Sequence, residues 1–214
     1  MQRKKKINPA VLYFPQGIQD KLSYLREYPL SIACAPAGYG KSTAISRFFR
    51  KALPKTVRVF WYTFVQMSSS SGWEALCGQI ARIDPDCGEA LRLAGQPEPG
   101  TLPLLAEALE NLECTLETYL VLDSFELSGL ARQAGLYRAL SRHGGEGLHF
   151  VIVTREQPDA LLHSHLIYRL AADDFTFSAD DTEAYFALAG LPASRSQIET
   201  VCKAAGGWVL VLYM

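Results

Sequence analysis

The stretch Ala35-Pro-Ala-Gly-Tyr-Gly-Lys-Ser42 constrains this chain more than any other. An apolar run, Leu30-Ser-Ile-Ala-Cys34, precedes it and has the length and make-up of a buried strand. Thr43-Ala-Ile-Ser-Arg-Phe-Phe-Arg50 follows, with Ile45, Phe48 and Phe49 at helical spacing. Strand, glycine-rich turn, Lys-Ser and helix are the parts of a phosphate-binding P-loop. Gly38 and Gly40 let the backbone turn its N–H groups inward with no Cβ in the way. Those groups and the positive end of the helix attract phosphate oxygens. Lys41 is placed to reach the β- and γ-phosphates, and the Ser42 hydroxyl to bind Mg²⁺. Ala37, Gly38, Tyr39, Gly40, Lys41, Ser42 and Thr43 are therefore the expected nucleotide-binding residues. The usual first glycine of such a loop is Ala35 here.

With 214 residues the chain has room for one large domain, or for one domain and a small neighbour. A formal net charge of −1 gives no global field toward nucleic acid. The five cysteines are scattered without a CxxC pair, which fits a reducing cytoplasm and argues against a disulfide framework. No apolar run reaches the length of a membrane span, so no membrane partner is expected. The basic start, Met1-Gln-Arg-Lys-Lys-Lys6, leads into no signal-peptide core and reads as a mobile arm over residues 1–12, or else as a nucleic-acid contact. The apolar end, Trp208-Val-Leu-Val-Leu-Tyr-Met214, reads as the point where a longer protein continues.

Along the chain, residues 16–27 read as a helix ended by Pro29, with Ile18, Leu22 and Leu25 on one face. Strand 30–34 and helix 41–53 follow, then a strand over 57–64 rich in β-branched and aromatic residues. The serines from 68 on read as a polar loop, with Ser71 capping a helix over 73–83. A breaker-rich loop over 95–103 leads to a helix over 103–113, with Leu104, Leu105, Ala108, Leu109 and Leu112 inward. Strands over 118–123, 148–154 and 166–170 frame a helix over 130–142. Helices over 179–189 and 194–205 close the pattern. Alternating strands and helices imply a three-layer α/β fold with a mostly parallel sheet. Residues 13–175 read as the P-loop NTPase domain, and 176–214 as a helical segment opening a second domain.

Two further strand ends carry chemistry. Leu120-Val-Leu-Asp123 places a carboxylate at the carboxyl end of a strand, where ligands of α/β folds sit. Such an Asp supports Mg²⁺, so Ser42 and Asp123 are the expected metal residues; the competing reading of Asp123 is a helix cap. Val151-Ile-Val-Thr154-Arg155 ends on a hydroxyl and a cation, which suits a γ-phosphate sensor or a surface ion pair. Lys41, Asp123 and Arg155 are the expected catalytic residues. His163 and His165 have no Cys or acidic partner at ligand spacing, so no metal site is expected there. Tyr39 either packs on a nucleotide or lines the loop.

Taken together these motifs resemble a known family. The P-loop string, Leu120-Val-Leu-Asp123, Thr154-Arg155-Glu-Gln-Pro158, Asp174-Phe-Thr-Phe-Ser178 with Glu183-Ala184, and Gly207-Trp208 occur in that order. The chain resembles, from about Leu12 to its end, the N-terminal NTPase module of the ATP-dependent LuxR-type regulators. These belong to the signal-transduction ATPases with numerous domains (STAND). The resemblance implies a five-stranded sheet of order 5-1-4-3-2, with ATP and Mg²⁺ as cofactors. It also implies self-association of a full-length protein, and DNA contact only through a C-terminal domain absent from this chain.

The departures bear on mechanism. The family's Arg-Pro near the first helix is Phe14-Pro15 here, and its second acid after the Walker B strand is Ser124. Glu126 lies close in sequence, but its register reads as elsewhere on the turn. Without a general base, hydrolysis is expected to be slow, which suits a switch that holds ATP. A P-loop ATPase or kinase with steady turnover is the alternative, and a STAND signalling scaffold that does not touch DNA is a third.

Overall fold

The computed structural model describes residues 12–144, 146–158 and 164–208. The basic arm, His163 and the apolar run after Trp208 lie outside the described residues. Helix α1 spans Gln16–Ser23 and tightens into a 3₁₀ turn over Tyr24–Glu27. Strand β1, Leu30–Cys34, and helix α2, Lys41–Ala52, flank the glycine-rich loop. Strand β2 spans Arg58–Thr63. Helices α3 (Ser69–Ile80), α4 (Pro85–Ala94) and α5 (Leu102–Glu110) lead to β3, Thr118–Asp123. Helix α6, Ala134–His143, precedes β4, Leu148–Thr154, and β5, Ile167–Leu170. Helices α7, Ala179–Ala189, and α8, Arg195–Ala205, follow.

The five strands pair in the order β2-β3-β4-β1-β5, all parallel. Read from the other edge this is the expected 5-1-4-3-2. β4 therefore separates the strand that feeds the glycine-rich loop from the strand that ends on Asp123.

Strand alternation sends side chains to two covered faces. Leu120, Leu122, Phe150 and Ile152 pack against Trp73, Leu76, Leu105 and Leu140 of α3, α5 and α6. Tyr119, Val121, Val151 and Val153 join Ile18, Leu22, Ile45 and Phe49 of α1 and α2. Each fully buried aliphatic side chain contributes about 1.5–3 kcal/mol, so these two clusters carry the three-layer stack. Phe175, Phe177, Tyr185 and Ala189 belong to the second cluster, so α7 packs on the same face as α1 and α2.

Several element limits differ from the sequence reading for identifiable reasons. α3 begins inside the serine run, because Ser68, not Ser71, is its cap and accepts a hydrogen bond from the Ser71 N–H at 3.2 Å. Gly72 in its first turn has no room for a side chain, since a Cβ there would lie 1.8 Å from the Ser128 carbonyl oxygen. α4 falls in a stretch that the sequence reading leaves unassigned; Asp84 caps the helix and Pro85 opens it. Asp84 Oδ1 accepts from the N–H groups of Asp86 (3.0 Å) and Cys87 (3.1 Å). In α5 the buried stripe is Leu105, Ala108 and Leu109, whereas Leu104, expected inward, is 53% exposed. The segment before α6 remains a loop until Ala134.

No helix among the described residues is long and apolar enough to cross a membrane. No group of three or more His, Cys, Asp or Glu side chains among them could hold a metal ion.

Candidate functional site

The site forms where β1, β3 and β4 end. Gly38 (φ 81°) and Gly40 (φ 76°) both adopt left-handed backbone, which only glycine takes freely and which lets the loop fold over the start of α2. Gly40 serves as the N-cap, and its carbonyl accepts the Ala44 N–H at 2.8 Å. Lys41 opens the helix and is only 8% exposed. Its Nζ donates to the carbonyl oxygens of Ala35 (2.5 Å) and Pro36 (3.0 Å), so the loop itself satisfies the ammonium. Burial pulls the Lys41 pKa below the ordinary lysine value, and the nearby Glu126 carboxylate partly offsets this.

Ser42, next along α2, donates its hydroxyl to Asp123 Oδ1 at 3.0 Å. The same oxygen accepts the Ser124 N–H at 2.9 Å. Sheet register sets this meeting: Cys34 pairs with Thr154, and Asp123 pairs with Val153. The Thr154 hydroxyl is used within its own turn, donating to the Glu156 carbonyl at 3.2 Å. Mg²⁺ takes oxygen ligands at 2.0–2.1 Å in octahedral geometry, so adjacent ligands stand roughly 2.9 Å apart. The two oxygens of Ser42 and Asp123 match that donor type and spacing. Both oxygens could serve as ligands of such an ion.

Beside these groups opens a cavity of about 420 Å³, within the range of small-molecule sites. Its polar wall holds the loop, Asp123 and Arg155; its apolar wall holds Phe14, Ile18, Phe175 and Phe177. The expected residues Ala37, Gly38, Tyr39, Gly40, Lys41, Ser42 and Thr43 all line it. Tyr39 stacks on Trp208, with ring centroids 6.1 Å apart and planes 26° from parallel. The loop is thus in contact with Trp208, three residues past the end of α8.

Three features escaped the sequence reading. Glu126 was expected elsewhere on the turn; it lines the cavity, and its Oε1 lies 3.2 Å from Arg155 Nε. The cause is Ser124, whose φ of 55° makes it the one non-glycine residue with left-handed backbone among those described. That residue reverses the chain after β3 and swings the 3₁₀ turn Phe125–Leu127 back toward β4. Arg47 of α2 also lines the cavity, with its guanidinium 5.7 Å from the Phe14 ring centroid and donating to the Leu12 carbonyl at 2.6 Å. Nothing in the sequence marks Arg47 out from the other cations of that helix. The Tyr39–Trp208 stack joins residues far apart in the chain, beyond the reach of local pattern.

No protein-family model matches the chain, and no curated protein matches it. Solved structures do. A STAND protein with a tetratricopeptide repeat sensor from Pyrococcus horikoshii superposes with a TM-score of 0.61 at 17% identity, over 94% of this chain and 29% of that one. The fold is that of a P-loop NTPase. A structure of the Drosophila origin recognition complex bound to DNA superposes with a TM-score of 0.55 at 11% identity, over 98% of this chain and 55% of that one. At such identities the likeness concerns the fold. This chain spans about a third and about half of the two matched chains.

Proposed function

We infer that this module binds ATP with Mg²⁺ and holds it, serving as the nucleotide switch of a longer STAND-class regulator of the LuxR type. The observation that carries the reading is the Ser42–Asp123 pair at 3.0 Å beside a buried Lys41, in one cavity with the glycine-rich loop. On binding, Lys41 would exchange the carbonyls of Ala35 and Pro36 for the β- and γ-phosphates. The loop N–H groups and the start of α2 would receive the remaining phosphate oxygens. Ser42 and Asp123 are the residues that would hold Mg²⁺, which would supply charge neutralisation on the phosphates. The apolar wall of Phe14, Ile18, Phe175 and Phe177 suits a base. Arg155 reaches the same cavity from the end of β4, as a sensor of the γ-phosphate should.

Slow turnover belongs to the same reading. Asp123 is occupied with Ser42, and the hydroxyl of Ser124 cannot act as a base near neutral pH. Residues 176–214 would open a further domain, the full-length protein would self-associate, and DNA contact would belong to a C-terminal domain beyond this chain. The Tyr39–Trp208 stack gives α7 and α8 a route to the loop's state. Tryptophan emission tests this. Mg²⁺-ATP and Mg²⁺-ADP at saturation should give different emission in the native protein, and Trp208→Phe should remove the difference. Equal emission with both nucleotides would contradict a switch.

A further inference from the structure

Glu126 sits where a carboxylate is costly unless it has work or a partner. Its side chain is 7% exposed, and its turn is anchored by Phe125, which is wholly buried in the sheet–helix core. Oε2 accepts the Arg155 N–H at 3.1 Å, so backbone holds one oxygen in place. Oε1 faces Arg155 Nε at 3.2 Å but has no aligned hydrogen bond to any described residue. The Arg155 side chain is 58% exposed. The pair is therefore lopsided: the carboxylate is fixed and the guanidinium is free to swing. Glu126 is also the largest charge influence on Lys41, which places the carboxylate within electrostatic reach of the phosphate end of the cavity. A γ-phosphate arriving there would compete with Glu126 for the exposed guanidinium.

We propose that Glu126 accepts the proton of the attacking water during ATP hydrolysis, and that Arg155 holds it idle until the γ-phosphate draws the guanidinium away. The proposal rests on the ATP-binding reading above. In the step, the water oxygen forms a bond to the γ-phosphorus. The bond from that phosphorus to the β,γ-bridging oxygen breaks, and the bridging oxygen keeps the electron pair as ADP leaves. The water proton passes to Glu126, which returns it to the released phosphate or to solvent. A carboxylate in an ion pair is a poorer proton acceptor, so Glu126 acts only in that fraction of ATP-bound molecules in which the guanidinium has left it, and turnover stays low without being abolished.

Phosphate release and nucleotide affinity, measured on the whole chain with Mg²⁺-ATP, separate the possibilities. Glu126→Gln keeps the shape of the side chain and removes its proton-accepting charge. Its turnover should fall on the order of 10²-fold or more, while its affinity for a fluorescent ATP analogue and its melting temperature change little. Glu126→Asp, which keeps the carboxylate one methylene shorter, should recover part of the rate. Arg155→Gln should weaken ATP binding but not ADP binding. Wild-type turnover in Glu126→Gln would overturn the proposal. So would a loss of folding or binding in both Glu126 variants, since that marks a structural role. Equal weakening of ATP and ADP by Arg155→Gln would remove the clamp. If the native protein binds no ATP at all, the reading of the site as a nucleotide switch fails, and that failure shows in the binding arm alone.

Discussion

Lys41→Ala should bind ATP at least about 10²-fold more weakly than the native protein. Hydrogen bonds to charged partners are worth about 1.5–3 kcal/mol each. Lys41 is placed to make two, to the β- and γ-phosphates, so about 3–6 kcal/mol is at stake, or roughly 10²–10⁴ in affinity. The fold should survive, because the residue lies in the first turn of α2 and its charge is already disfavoured by burial. What the variant leaves behind is two loop carbonyls, Ala35 and Pro36, without their ammonium donor. Water can serve them where the cavity is open. Titration with a fluorescent ATP analogue, with a melting curve as control, reads the result. An affinity equal to the native one would mean that the loop is not the phosphate site.

Ser124→Asp should raise ATP turnover, toward the ~10²–10⁴ that general-base help is worth. The position follows Asp123 directly, and its N–H already donates to Asp123 Oδ1 at 2.9 Å. Its left-handed backbone, φ 55°, favours Asp over most residues. The substitution should therefore add a carboxylate that no arginine holds, at little cost in stability. Single-turnover phosphate release with and without the substitution decides. An unchanged rate would show that the missing acid is not what limits hydrolysis.

The parts of the site legible in the sequence are those set by local chemistry. Gly38, Gly40, Lys41 and Ser42 must stand next to one another in the chain to work, so their pattern survives as a string. Asp123 and Arg155, which both line the cavity, stand out in the sequence because Asp123 ends one apolar strand and Arg155 follows another, and strand ends meet along one edge of a parallel sheet. The strand order itself came from resemblance, not from any pattern within the strands. Glu126 reads from the sequence as elsewhere on the turn, because the left-handed backbone at Ser124 that redirects the chain leaves no mark in the sequence. α4 lies between the helix read over 73–83 and the loop read over 95–103, in a stretch the sequence reading leaves unassigned. Leu104 was misplaced by its neighbours: in a run of leucines, apolarity alone does not say which of them faces the core. Arg47 on Phe14 and Tyr39 on Trp208 are tertiary contacts, made to residues just before α1 and just after α8.

The retention of intact ATP is the most direct measure of whether this module is a switch. The protein is loaded with Mg²⁺-ATP, freed of excess nucleotide by gel filtration, and sampled over time for bound ATP and ADP. The expected result is close to one nucleotide per chain, still mostly ATP after minutes, and none retained by Lys41→Ala. Finding no retained nucleotide, or only ADP at the earliest sample, would contradict an ATP-holding switch.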